Sequence, residues 1–437
     1  MGEMLAVGQM IKSDSSSVRF KIEKFLGGGG QGEVYRADMN GKLVALKWYF
    51  PQNATHEQHE GLKKLIQMGA PSDRFLWPME FLSQQDVSGF GYAMPLRPTN
   101  YKSIIDMMKG KIDPKFRELA TAGFQLADSY LSLHAKGMCY RDISFGNVFF
   151  DPSSGEILIC DNDNVSEDNQ KQGGVLGTPR FMAPEIVRRE KLPNGDTDRF
   201  SLAVLFFYMF VLHHPLEGAR EASIKCLDLP AMIKLYGKEP LFIYAPDDPS
   251  NRPVPGYHDN AIDIWPLLPG FLRDLFTKAF TAGLLDPSGR VRESEWKSAM
   301  IRLRDSIFYC AACSKENFYE GDKKSESGAP TCWSCKQSVQ PPVRIRIGNQ
   351  IVMLNSNTLL YPHHIDKDKL YDFSKEAAGI VQNPNNPDIW GLKNLTSSNW
   401  SCTTLNGEVK NVDPGRSVTI ALGTKINFGN AEGELQG

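Results

Sequence analysis

The residues best suited to chemistry lie in "YRDISFGNVFFDPSSGEILICDNDN", Tyr140 to Asn164. Asp142 and Asn147 stand five apart, and Asp161 follows after a short hairpin. Phosphoryl transfer depends on positioning and charge neutralisation more than on covalent help. One aimed carboxylate and two metal-binding oxygen groups therefore suffice for it. The same residues also fit an Asx-rich hairpin without chemistry, because turns favour Asp and Asn. A second group is "LGGGGQGEVY", where Gly27, Gly29 and Gly32 have GxGxxG spacing and Val34 follows. Glycines let backbone N–H groups approach a phosphate with no Cβ in the way, although the pattern alone equally describes a flexible turn. A third group is Cys310/Cys313 and Cys332/Cys335, two CxxC pairs separated by eighteen residues.

These groups need elements to hold them. "RFKIEKFLG", "EVYRAD" and "KLVALKWYF" alternate like strands, with Asn40-Gly41 between the last two as a strong hairpin signal. The glycine loop thus joins two strands, whereas a dinucleotide fold would pass from strand to helix. The third strand carries "VALK", with Ala45 and Lys47. Helical spacing runs from Phe116 to His134 after Pro114, which suits a helix start. Short strands are expected at "VFFD" and "EILICD", and helices dominate from Pro184 to about Asp305. The expected fold class is a mixed α+β domain, a metal knuckle and an all-β module. Its boundaries are a flexible N-terminus over 1–17, the main domain over 18–305 (lobes 18–94 and 95–305), the knuckle over 306–340 and a β domain over 341–437.

The 437 residues are 41% apolar and 23% charged with a net charge of −2, ordinary for a globular protein, so neither a nucleic-acid nor a membrane partner is indicated. The longest apolar run, 201–212, is too short to span a bilayer, and the first residues lack a signal-peptide layout. Residue 6 is Ala, which argues against myristoylation. Eight cysteines, half of them in the CxxC pairs, fit a reducing cytosol with one metal site. Four thiolates would close a zinc tetrahedron and leave no open position, so the site reads as structural; the alternatives are free thiols or two disulfides.

Strand, glycine loop, strand, hairpin and lysine together resemble the nucleotide-covering lobe of the eukaryotic-like protein kinases. "YRDISFGN" resembles that family's HRDLKxxN, "GTPRFMAPEIV" (177–187) its substrate-docking segment, "DTDRFSLA" (196–203) its DxxSLG helix start, and "LLDPSGRVRESEW" (284–296) its DPxxR pattern. The matches keep the family order over about 290 residues. The resemblance implies a bilobal kinase fold of bacterial Ser/Thr type using ATP and magnesium (or manganese). It implies Asp142 as the base that takes or orients the proton of the attacking hydroxyl, and Asn147 and Asp161 as magnesium ligands. Lys47 would hold the α- and β-phosphates and pair with a helix glutamate, Glu60 first and Glu57 second. In the hinge "YAMPLRP", Met94 would be the gatekeeper and Arg97 would offer a backbone N–H to adenine. Asp198 would tie down the catalytic loop, and Arg290 would bridge to Glu185.

Two words differ from the family pattern. Ser144 replaces a lysine that contacts the γ-phosphate, and "DND" stands for DFG, with Asn162 for the phenylalanine and Asp163 as a competing metal ligand. Tyr140 for His is a milder change. Few hydroxyls lie between Asp161 and Glu185, so Glu167 and Asp168 are expected to engage Arg141 in place of a phosphate. The last hundred residues loosely resemble a forkhead-associated β-sandwich through "GLKNLTSSNW", "TTLNGEV" and "IALGTKINFG", although Gly348 is followed by Asn349 where that family has Gly-Arg. Ser397, Ser398 and Asn399 are its candidate contact residues. Chains of this layout resemble bacterial kinases found alongside a phosphatase and a von Willebrand-type protein. The implied function is phosphoryl transfer to Ser/Thr hydroxyls of proteins. The alternatives are a nucleotide-binding pseudokinase scaffold and a small-molecule kinase of the same fold, and the intact docking segment favours a protein substrate.

Overall fold

The computed structural model describes residues 3–168, 176–321 and 330–437. Its chain forms two compact units. The first comprises residues 1–266 and 271–298, and the second 267–270 and 299–437. The helix Glu293–Asp305 runs through the division at 298/299 and ends at the boundary expected at 305/306. The boundary expected at 340 lies inside the second unit.

The first lobe is a closed antiparallel barrel in the order β1-β2-β3-β4-β6-β5, formed by Met10–Ser13, Arg19–Gly28, Gly32–Met39, Lys42–Tyr49, Glu80–Ser83 (β5) and Phe90–Pro95 (β6). Asn40 (φ 53°) and Gly41 (φ 86°) form the tight turn that sets the β3–β4 register, with Met39 opposite Lys42. The N-terminal stretch expected to be flexible supplies β1, which pairs with both β2 and β5. Leu5 is fully buried, and its N–H donates to the Tyr35 hydroxyl at 3.1 Å. A four-residue strand has too few alternating positions to stand out in a sequence. Helix α1, His56–Met68, starts at Thr55, whose hydroxyl accepts the Gln58 N–H, and ends at Gly69.

The second lobe is built on two long helices. Phe116–His134 buries Leu119, Leu126, Tyr130 and Leu133 at helical spacing. Gly195–Val211, capped by the Asn194 side chain, is buried almost all round, which explains its unbroken apolar run. Phe206 packs on the fully buried Trp296 with ring centroids 5.0 Å apart. Between these helices in the chain lies the hairpin Val148–Phe150/Ile157–Ile159, which joins Asn147 to Asp161. Among the described residues no helix is long and apolar enough to cross a membrane.

The second unit is β-rich. A six-stranded antiparallel sheet and a four-stranded sheet share one core that includes Ile345, Leu360, Leu392, Trp400, Ile426 and Leu435. The two CxxC turns pack with Phe308, Val339 and Met353 in a smaller core of the same unit.

Candidate active site

Strand pairing brings the expected nucleotide-covering residues together. Val34 lies opposite Lys47, and Ala45 opposite Met94. Val34, Ala45 and Met94 belong to one apolar cluster. Gly27 and Gly29 have open space where a Cβ would stand, as a loop that admits a ligand requires. Gly32 is glycine for another reason: a Cβ there would lie 2.1 Å from the Trp48 carbonyl oxygen on β4. Arg97 donates from its side chain to the Tyr101 carbonyl at 2.7 Å, and its guanidinium stacks 3.9 Å above the Phe149 ring.

Lys47 is almost fully buried, and its Nζ contacts Asp163 at 2.9 Å, Gln31 at 3.0 Å and Asp161 at 3.5 Å. Burial works against the ammonium charge, but Asp163 and Asp161 outweigh it and raise the Lys47 pKa. Glu60, expected as its partner, is exposed and bonded to His59, and Glu57 is exposed in the first turn of α1. Thr55 caps the helix so that Gln58 turns inward instead. The Gln58 amide donates to the Tyr49 hydroxyl at 2.9 Å and to the Asp163 carbonyl at 3.3 Å. Asp163 is fully withdrawn from water and also accepts the Tyr49 hydroxyl. Burial opposes its charge, yet Lys47 and Tyr49 prevail and lower its pKa.

Asp161 adopts a left-handed backbone (φ 50°) and keeps its side chain 42% exposed. Its pKa is raised by crowding from water and by the Asp163 and Asp142 carboxylates, with Lys47 offsetting only part of this. A divalent cation would relieve an acid so placed. Asn147 sits beside it in chain pairing, since the Cys160 N–H donates to the Asn147 carbonyl at 2.8 Å. The Asn147 amide donates to the Asp142 carbonyl at 2.8 Å and to Asp142 Oδ2 at 3.0 Å, which leaves the amide oxygen as its ligand atom. The donor set thus fits magnesium, a hard ion that prefers oxygen.

Asp142 is held from two sides. Besides Asn147, the Thr178 N–H and hydroxyl both donate to its Oδ1, at 2.9 and 2.7 Å. Asp198 anchors the loop by accepting the Tyr140 and Arg141 N–H groups. Tyr140 reaches further than a His would, and its hydroxyl donates to the Cys160 carbonyl beside Asp161. His134 bridges Asp198 and Glu293. Burial disfavours its charge, but the two carboxylates raise its pKa to about 9. Arg290 forms a bidentate, buried pair with Glu185 at 2.9 and 2.8 Å. Asn162 is buried, and its amide donates to the Ile159 carbonyl at 2.9 Å, a polar lock where an aromatic side chain would pack.

The expected contact of Glu167 and Asp168 with Arg141 does not occur among the described residues. Glu167 pairs with Lys64, and Asp168 accepts the Gly195 N–H at 3.0 Å.

In the second unit the four cysteine sulfurs lie within 4.8 Å of one another, with Cys310–Cys335 and Cys313–Cys332 both at 3.6 Å. A tetrahedron with ~2.3 Å zinc–sulfur bonds needs edges of about 3.8 Å. The two turns repeat one geometry: Ser314 (φ 59°) and Lys336 (φ 61°) donate back to the Cys310 and Cys332 carbonyls.

The protein kinase domain family matches residues 20–264. Among curated proteins, the chain is 26% identical over 217 residues to the DNA damage-responsive serine/threonine-protein kinase RqkA of Deinococcus radiodurans, covering 47% of this chain and 32% of that one. It is 25% identical over 228 residues to the serine/threonine-protein kinase pkn2 of Myxococcus xanthus, covering 46% and 25%. It is 26% identical over 217 residues to the CBL-interacting serine/threonine-protein kinase 15 of Arabidopsis thaliana, covering 46% and 49%. The chain therefore spans about a quarter to a half of the length of these relatives. The family match takes in more than half of the chain and falls on both lobes that carry Lys47 and Asp142, so this protein belongs to the protein kinase family.

Proposed function

We propose that this protein transfers the γ-phosphoryl group of ATP to Ser or Thr hydroxyls of protein substrates. The observation that carries this reading is the double hold on Asp142, by Asn147 from the catalytic loop and by Thr178 from the segment that resembles the family's peptide-docking stretch. A carboxylate so held is preorganised to orient the substrate hydroxyl and accept its proton. Lys47 positions the phosphates, Gln31 giving way, beneath the backbone of the Gly27–Gly32 loop. Val34, Ala45 and Met94 line the adenine side, with the Arg97 backbone at the hinge. Asn147 and Asp161 hold magnesium, which when bound neutralises phosphate charge. Ser144 brings no charge to this set, so Lys47 bears more of that task.

Cys310, Cys313, Cys332 and Cys335 would hold a structural zinc ion in a ribbon, a reading supported by their separations. The β-rich remainder is a forkhead-associated-like sandwich and acts as an interaction module. Support comes from a 440 Å³ cavity lined by Ser397, Ser398, Asn399, Lys369, Lys375 and Trp400. A phosphatase and a von Willebrand-type protein are its proposed partners. Purified full chain incubated with magnesium and γ-labelled ATP, alone and with candidate partner proteins, tests the main reading. Label on protein Ser or Thr is expected. Nucleotide binding without transfer would favour a scaffold instead.

A further inference from the structure

A buried ammonium must be met by an anion, because desolvation otherwise neutralises it. In this protein the anion does not come from helix α1. The side chain that α1 turns toward Tyr49 and Asp163, the neighbours of Lys47, is Gln58, which carries no charge. The α1 carboxylates nearest in sequence, Glu57 and Glu60, stay in solvent. Lys47 lies closer to Asp163 (2.9 Å) than to Asp161 (3.5 Å). The Asp163 side chain is fully enclosed, whereas that of Asp161 is part-exposed.

Two neighbours hold Asp163 in this place, and a third braces the lysine. The Tyr49 hydroxyl donates to the same carboxylate oxygen that Lys47 meets. The Gln58 amide binds that hydroxyl and the Asp163 carbonyl, tying α1 to the turn 162–164. Gln31 joins Lys47 to Asn164 from the glycine loop at 3.0 and 3.1 Å. Two departures from the kinase pattern therefore meet at one point: α1 lacks an inward carboxylate, and an Asp stands where DFG has Gly.

We infer that Asp163 is the positioning residue for Lys47, supplying from the turn after Asp161 the carboxylate that α1 does not offer. This rests on the phosphoryl-transfer reading above. Asp161 is thereby left to face the cation rather than the lysine. Among the described residues the lysine is coupled to the 161–164 turn directly and to α1 through Gln58 by way of Tyr49 and Asp163, so a shift of α1 need not unpair it.

The test compares wild type, Asp163→Gly and the double variant Asp163→Gly/Gln58→Glu, the last returning a carboxylate to the inward position of α1. Magnesium and a non-hydrolysable ATP analogue are titrated calorimetrically, and thermal unfolding confirms that each variant folds. Asp163→Gly should weaken analogue binding about tenfold, the scale of one charge-assisted contact, and the double variant should recover most of it. Unchanged binding in Asp163→Gly overturns the inference. A loss that Gln58→Glu does not repair marks Asp163 as merely structural and also overturns it. Wild type that binds the analogue but transfers no phosphoryl group would sink the transfer reading while leaving this comparison decisive. Wild type that binds no analogue would sink both.

Discussion

Thr178 gives both its backbone N–H and its hydroxyl to Oδ1 of Asp142, at 2.9 and 2.7 Å, while Asn147 occupies Oδ2. The carboxylate plane is therefore set by the segment around Thr178 as much as by the loop from Tyr140 to Asn147. Thr178→Val should lower kcat by roughly 10- to 100-fold, the cost of an ångström-scale misplacement, with little change in nucleotide affinity. Steady-state kinetics with varied ATP checks this split, and a change confined to the KM for ATP would contradict it.

Arg290 and Glu185 are paired in near-complete burial, so each neutralises a charge that water cannot reach. Arg290→Ala leaves Glu185 stranded and should destabilise the first unit by about 3–5 kcal/mol. Arg290→Met/Glu185→Leu should cost less than the single change, since no charge is left alone. Urea unfolding of the three proteins gives the comparison.

His134 is held between Asp198 and Glu293 with its pKa raised to about 9 from the ordinary 6.5. The sign follows from linkage: a raised imidazole binds its proton more tightly when folded. Its contribution to stability is full below about pH 6.5 and is lost as pH climbs through about 9. Wild type should thus lose unfolding temperature between those values more steeply than His134→Gln. An imidazole that titrates near its ordinary value in an NMR pH series would refute this.

The cysteine site should bind one zinc ion per chain, measurable by elemental analysis. Chelation, or Cys332→Ser, should lower the unfolding midpoint of the second unit, because metal binding there is folding free energy. The effect on phosphoryl transfer should be small, since those ligands lie in a different unit from Asp142. Equal stability with and without chelator would contradict a structural zinc.

Much of this arrangement was legible in the sequence because its signals are local. Asp142, Asn147 and Asp161 are spaced by one loop and one hairpin, and Asn40-Gly41 dictates its own turn. The Glu185–Arg290 bridge spans far more chain and was readable only through the family pattern. The partner of Lys47 was not legible. Which α1 residue faces inward depends on the helix starting at His56, and a shift of two positions exchanges Glu60 for Gln58. Asp163 meets Lys47 from the turn after Asp161, whose left-handed backbone is one that Asp tolerates without announcing it in the sequence. Two signals pointed there: an Asp in a glycine's position, and a Gln among the α1 carboxylates. The β1 strand escaped notice for a different reason, since Met10–Ser13 is too short to alternate visibly.

On the proposed reading, Asp142 acts on the substrate hydroxyl in a live site. The most direct measurement compares phosphoryl transfer from γ-labelled ATP by wild type and Asp142→Asn, with nucleotide affinity measured on both. Wild type should transfer label to protein Ser or Thr, the variant should fall by at least about 100-fold, and nucleotide binding should be similar in the two. Transfer that survives in Asp142→Asn, or is absent from wild type despite bound nucleotide, would contradict it.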